Sequence, residues 1–328
     1  MTAPLVRAIA VLLVLGPVSV THAYEEGGHF YTVHMIVNDV GASSVGLALA
    51  QRVLISICAQ LPDKSTELDA VQVYRSLMLT NRLDYGRWFV SSDGPVATVG
   101  RMAVVQQLLH GLTGGRAATV RSVALEAIDR LLAGVRAGRS TAPDPDALCA
   151  LGMAYHLLGD SVAHRMLKNT EQMYPTGKGH AADFTLPDHP LGYGEQRRKD
   201  WNDYASLAAT RLGASLGASS LKALASAQTL MKDKGCSWWY GYCESLLFPL
   251  LPPSFAPPVE QRKVGKCQDY VDGLVASKSL APALKPSCAG SWEKFRVAAL
   301  DVWKQPKHGF NDPAHRMQVR LYELDLFK

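Results

Sequence analysis

This chain of 328 residues has no long Lys/Arg run, no repeat and no low-complexity tract, and strand-like alternation is sparse. Its net charge of +5 is spread thinly. Charge alone therefore does not point to nucleic-acid or membrane binding. Sparse alternation points away from a sheet protein. Beyond the first residues no segment is long and apolar enough to span a membrane, which takes ~20 residues. No P-loop or HExxH motif is present, so those mechanisms have no sequence basis. What remains is 48% apolar and 19% charged. That is ordinary globular composition, enough for a sizeable core in one large domain or two smaller ones.

The first 23 residues have the pattern of an export signal. Arg7 supplies a positive charge, Ala8 to Val20 is apolar, and Gly16-Pro17 breaks the run near its end. Thr21-His22-Ala23 places small residues before a cut after Ala23. The apolar run covers 13 residues, short for a membrane span. An uncleaved anchor is the alternative. A secreted or periplasmic location follows, and the six cysteines suit an oxidising compartment. Proximity pairs Cys236 with Cys243 and Cys267 with Cys288. Cys58 and Cys149 lie in apolar helical patterns, as buried thiols or as a pair.

The body is expected to be all-α, a multi-helix bundle. Ser44 to Leu61 is apolar nearly all round and predicts a buried helix. Further helices are expected over Leu68 to Leu79, Val96 to Leu112, Ala117 to Ala137, Asp144 to Asn169, Arg197 to Leu212 and Ser219 to Lys232. Thr113-Gly114-Gly115 is a stop, and Asp144-Pro145 suits a helix start. Loops are expected over Asp84 to Pro95 and Tyr174 to Tyr193. After residue 235 the character shifts to aromatics and Pro, with final helices over Val259 to Val275, Ser291 to Lys304 and Ala314 to Phe327. The chain then divides into a signal (1–23), a helical core (24–235) and a C-terminal helical extension packed on the same domain (236–328).

Histidine and aspartate carry the chemistry. His156, Asp160 and His164 are spaced by four, so all three fall on one face of a largely apolar helix. Burying them without partners would cost several kcal/mol. A metal removes that cost; a solvent-exposed stripe or His–Asp bonding inside a core are the alternatives. His180 and Asp183 follow in a Gly-rich segment, with Asp188 and His189 behind them. This segment has no cysteine, so its donors suit a catalytic zinc better than a structural one. Cleavage after Ala23 would make Tyr24 the first residue, with His29 five positions from a free amine. His34 lies roughly 140° further round a helix than His29 and is expected to be structural or to support a ligand from behind. His308 and His315 are expected at the surface.

These pieces resemble the zinc-dependent phospholipase C and single-strand-specific zinc nuclease superfamily. The resemblance runs from about Tyr24 to Tyr193. Gly-His-Phe-Tyr-Thr-Val, Gln-Leu-Pro-Asp and His-Leu-Leu-Gly-Asp look like a bacterial branch of it. The resemblance implies an all-helical fold and a centre of three zinc ions. By resemblance the ligands are Tyr24, His29, Asp63, His110, His156, Asp160, His164, His180 and Asp183. Asp63 and Asp160 take the bridging, catalytic roles, and Asp69 is the fallback for Asp63. Three departures stand out. Tyr24 replaces the usual Trp, two residues rather than three separate His180 from Asp183, and His164 follows Asp160 after a shorter gap than usual.

The implied function is a secreted hydrolase that activates water on metal and cleaves a phosphodiester. Trp238, Trp239, Tyr240 and Tyr242, followed by Leu246-Leu247-Phe248, can form an apolar lip for acyl chains or stack bases. The plain reading of that stretch is a core or stapled loop. Phospholipid is favoured narrowly over single-stranded nucleic acid. A non-catalytic, metal-stabilised binding or structural protein is the alternative from another class.

Overall fold

A computed structural model of the chain describes residues 25–38, 46–70, 103–137, 144–176, 195–213, 217–233, 265–308, 322–323 and 326–327. Among these the fold is mostly helical, as expected. The elements are α1 (Glu25–Ile36), α2 (Leu49–Lys64), a π-helical segment (Ala103–Leu109), α3 (Ala117–Ala137), α4 (Pro145–Ala163), a hairpin of β1 (Arg165–Met166) and β2 (Asn169–Met173), α5 (Glu195–Arg211), α6 (Ala218–Asp233), α7 (Cys267–Ala276) and α8 (Cys288–Trp303). Short 3₁₀ turns cover Pro282–Leu284 and Pro306–His308.

The centre of the fold is α4. Every residue from Leu148 to Ala163 is buried, and α2, α3, α5 and α8 pack around it. A helix buried all round must be apolar all round, and apart from its Ser, His and Asp this one is. Its start is chemically defined. Asp144 accepts a bond from the Asp146 N–H at 2.9 Å, and Pro145 occupies the first turn. By contrast α3 is amphipathic. It buries Ala117, Val120, Ala124, Ile128, Leu131 and Val135 at helical spacing, and its bounds are those the sequence predicts. One hydrophobic core contains side chains from Phe30 through to Leu326, including Trp292 and Phe295 of α8.

Contact between α2 and α4 is made at backbone distance. A Cβ on Gly152 would lie 2.4 Å from the Ile55 carbonyl oxygen and 2.9 Å from the Ala59 nitrogen. One turn earlier, Cys149 is joined to Cys58 in a disulfide. One turn later, the His156 Nδ1–H donates to the Ala59 carbonyl at 2.8 Å. A single stripe of α4 thus carries the disulfide, the glycine and the histidine. Cys267 and Cys288 form the second disulfide, joining the starts of α7 and α8. The expected Cys236–Cys243 pair lies outside the described residues.

Several boundaries differ from expectation. The α2 helix begins at Leu49 rather than Ser44, because Gly46 sits at φ +70°, a left-handed conformation that no helix continues. It runs past Pro62 to Lys64, where the missing N–H removes one bond in the last turn. The helix expected through Asn169 ends at Ala163, and a two-stranded antiparallel hairpin follows. Residues 103–109 adopt π geometry in place of the expected α-helix. The α8 helix starts three residues early, because the Ser287 Oγ accepts from the Gly290 N–H at 3.2 Å. Most of the expected helices over 68–79 and 314–327 falls outside the described residues.

Among the described residues no helix is long and apolar enough to cross a membrane. The two disulfides fit an oxidising compartment.

Candidate metal centre

Five side chains from four elements converge beside the C-terminal half of α4. His156 and Asp160 come from α4 itself, four residues apart and therefore on one face. His29 comes from α1 and Asp63 from the last turn of α2, next to Pro62. His110 follows the π-helical segment, where its N–H reaches back five residues to the Val105 carbonyl at 3.2 Å. Such widened turns often shape functional sites. All five are almost completely buried.

Asp160 is the hub. Its Oδ1 lies 3.0 Å from His29 Nε2, and its Oδ2 lies 2.9 Å from His110 Nδ1 and 3.1 Å from His156 Nε2. His156 Nε2 is also 3.1 Å from His110 Nδ1. Asp63 stands further off, with carboxylate oxygens 3.9 Å from His110 Nδ1 and from His156 Nδ1. Two sets of ligand atoms lie within 4.8 Å of one another: His110, His156 and Asp160, and His29, Asp63 and His156.

Backbone carbonyls fix the proton positions in this cluster. A carbonyl only accepts, so the ring nitrogen facing it must carry hydrogen. His156 Nδ1 faces the Ala59 carbonyl, and His110 Nε2 faces the Leu68 carbonyl at 2.8 Å. In the neutral rings, His156 Nε2 and His110 Nδ1 therefore bear lone pairs. Both lone pairs and the Asp160 Oδ2 meet in a triangle with edges of about 3 Å. Three electron-rich atoms at that spacing repel unless a positive charge lies among them. A proton on His110 can supply it, and so can a divalent cation. Two ligands each ~2.1 Å from a metal and 90–109° apart are about 3.0–3.4 Å from each other, so the triangle fits such an ion. The imidazole–carboxylate donor set, without thiolate, suits zinc or a neighbouring first-row metal.

The ionisation states reflect this arrangement. Burial alone would lower the His110 imidazole, but the bond to Asp160 and the charges of Asp160 and Asp63 outweigh it and push it up to about 9. Burial, followed by the repulsion of His156, lowers His29, although it bonds the same carboxylate. One carboxylate cannot hold two imidazolium ions equally, and His110 has the stronger claim. Burial would raise Asp160, yet its interactions with the His156 and His164 rings and the bond to His110 hold its carboxyl well below the usual range. A metal binding here would displace the His110 proton.

His29 fits only because residue 159 is glycine. A Cβ there would lie 2.6 Å from His29 Cε1 and 2.9 Å from Nδ1. The His29 ring packs 4.1 Å from that of His156. In Gly159→Ala the ring must tilt away from Asp160. We expect metal affinity to fall at least about tenfold, equivalent to one hydrogen bond of ~1.4 kcal/mol. Chelator competition on wild type and variant measures this, and equal affinities would remove His29 from the centre.

The other candidate residues divide between the margin of the cluster and places outside it. His164 stands just beyond α4, as its C-cap. Its Nδ1 donates to the His110 carbonyl at 2.9 Å and is 3.7 Å from Asp160 Oδ2. It thus lies outside both ligand sets and supports His110. Asp69 is buried nearby and belongs to neither set. Tyr24, His180 and Asp183, like Asp188 and His189, lie outside the described residues. His308 is not a surface residue. It is buried against Trp303, with ring centroids 6.4 Å apart.

His34 belongs to a different network. Its Nε2 accepts from the Asn38 amide at 2.6 Å, and its Nδ1 faces the Ser56 hydroxyl at 3.4 Å. Burial and the Arg52 charge push it down to about 4. Its folded value is below the unfolded one, so its stabilising contribution is complete above pH 6.5. It is lost as pH falls from 6.5 towards 4, by about 3 kcal/mol in all. Urea melts of wild type and His34→Gln at pH 7 and pH 4.5 should show the wild type losing more stability. Parallel losses would contradict this protonation state.

Sequence reasoning overlooked the two glycines and the face of α5. Gly152 and Gly159 are seven apart in a buried helix, where Gly costs ~1 kcal/mol relative to Ala; that cost is the sequence clue. On α5, Arg197, Asp200, Trp201 and Tyr204 form one buried stripe. The Trp201 Nε1–H donates to Thr32 Oγ1, whose own hydroxyl donates to the Gly28 carbonyl, both at 2.7 Å. The Tyr204 hydroxyl donates to the Tyr155 carbonyl at 3.0 Å. These bonds fix the chain on either side of His29 and at the residue before His156.

No family model, curated protein or solved structure matches this chain. The buried His/Asp cluster is therefore the basis for reading function.

Proposed function

We propose that this protein is an exported, metal-dependent hydrolase that cleaves a phosphodiester, with phospholipid the favoured substrate class and single-stranded nucleic acid the alternative. The observation that carries the reading is the triangle of His110 Nδ1, His156 Nε2 and Asp160 Oδ2, which needs a positive charge at its centre. His110, His156 and Asp160 would hold one ion. His29 and Asp63 would extend the centre towards a second, and His156, with its single lone pair on Nε2, would serve one ion or the other. Zinc is the metal that best suits these donors, and the three-ion count of the resembled superfamily would draw on Tyr24, His164, His180 and Asp183 as well.

Once bound, the metal would supply Lewis acidity and an acidified water, worth several kcal/mol of transition-state charge. The chain's own residues do the rest. Asp160 accepts from His29 on one oxygen and faces His110 and His156 with the other, so its carboxylate cannot rotate. Ala59 and Leu68 hold the rings of His156 and His110 through their carbonyls, which keeps the opposite nitrogens as donors to a cation. Asp63, whose oxygens lie 3.9 Å from His110 Nδ1 and His156 Nδ1, would orient a water or accept its proton.

One observation favours a second reading, in which metal only holds the helices together. The cluster residues are at most 3% exposed, as in a closed structural site. Two measurements on the purified protein separate the readings. Elemental analysis should find bound zinc or a related metal, and a panel of phosphodiesters should show turnover that chelation abolishes. His156→Ala should remove both while leaving the helical circular dichroism. Metal without turnover supports the structural reading. An absence of metal, or full turnover in His156→Ala, overturns the hydrolase.

A further inference from the structure

We infer that Arg197 is a positioning residue for the centre: its guanidinium ends the metal-bearing helix α4 at Ala163 and thereby fixes His164 and, through it, His110. Arg197 is 2% exposed, and what it holds is backbone. Its Nη1 donates to the Ala163 carbonyl at 2.8 Å and, at 3.4 Å, to that of Val162. Its Nη2 donates to the Arg165 carbonyl at 3.2 Å. The fork therefore grips the chain on both sides of residue 164. The last carbonyls of a helix have no partners within it, and a cation there also matches the negative end of the helix dipole.

Residue 164 is where the chain turns from helix to hairpin, and further bonds converge on it. The His164 N–H donates to the Asp160 carbonyl at 2.8 Å, and the His164 carbonyl accepts from the Tyr174 N–H at 2.9 Å. Its ring Nδ1–H donates to the His110 carbonyl at 2.9 Å. Loss of the fork would let α4 run on and swing the ring away from residue 110. The charge on Arg197 is balanced by Asp200, whose Oδ2 is 3.3 Å from Nη1. Asp200 also accepts from Arg165 and from Gln196. A buried guanidinium with one carboxylate and three carbonyls keeps these bonds only in this geometry, so it selects one helix end over its neighbours.

Two readouts test this, and only the second rests on the metal reading. The first is hydrogen exchange of the His164 ring Nδ1–H, followed by nitrogen NMR on metal-free protein labelled at histidine. Wild type and Arg211→Met should protect that proton; Arg211 shares α5 with Arg197, and its loss breaks only an exposed pair with Asp129 of α3. Arg197→Met should exchange it at least about tenfold faster, the effect of losing a bond of ~1.4 kcal/mol, while the His34 ring is unaffected. Arg197→Lys keeps the charge but not the fork, and should fail to restore protection; it serves equally if the Met variant does not fold. The second readout is zinc affinity by chelator competition, expected to fall about tenfold in the same variants. Unchanged His164 exchange in a folded Arg197 variant overturns the inference. If wild type binds no zinc, the metal reading fails and the exchange result still decides the role of Arg197.

Discussion

Asp160→Ala should empty the centre of metal and destabilise the metal-free protein by about 3–5 kcal/mol, the usual cost of breaking a buried charged pair. Three imidazoles depend on this carboxylate: His29 on one oxygen, and His110 and His156 on the other. None can turn to water, because the whole cluster is buried. His110 loses the Asp160 bond and charge that help push it up to about 9, so at neutral pH it sheds its proton or keeps it with Asp63 alone as counter-charge. Asp160→Asn separates the two effects. The amide keeps the shape and some hydrogen bonding but not the charge, so it should recover part of the stability and none of the tight metal binding. Denaturant melts with elemental analysis of the same samples test this. A stable Asp160→Ala that keeps its metal would mean that Asp160 neither binds the ion nor holds the cluster together.

The second large effect belongs to the Cys58–Cys149 disulfide. It closes a loop of 91 residues, and the chain-entropy account gives about 4–5 kcal/mol for a loop of that length. It also ties α2 to α4 just before the residues that present Asp63 and His156. Replacing both cysteines by Ala should lower stability by roughly that amount and weaken metal binding. The Cys267–Cys288 link closes only 21 residues and is expected to contribute about 3 kcal/mol. It joins α7 to α8, neither of which supplies a residue of the cluster, so its removal should lower metal affinity less than removal of Cys58–Cys149. Thermal melts and chelator competition on the two double variants give the comparison. An equal loss of affinity in both would show that general stability, and not the α2–α4 spacing, governs the centre.

Much of the fold is legible in the amino-acid order alone. The all-α class follows from apolar periodicity, and α3 lies where its pattern predicts because both the Thr113-Gly114-Gly115 stop before it and its apolar stripe are local features. His156 and Asp160 are readable as a pair from their spacing of four. That His29, Asp63 and His110 join them is suggested by a resemblance and not by spacing. His29 and Asp160 are 131 residues apart, and no local rule reaches that far. The end of α4 falls six residues short of the expected Asn169, because Arg197, 34 positions beyond Ala163, decides it.

Neighbouring residues account for the helical class, the supply of imidazole and carboxylate without thiolate, and the start of α4 at Asp144-Pro145. Periodicity and capping chemistry act there directly, over a few positions. That Cys58 meets Cys149, that close approach requires Gly152 and Gly159, and which histidines face Asp160 are matters of tertiary packing. Those outcomes depend on distances between helices, which are set by contacts remote in sequence.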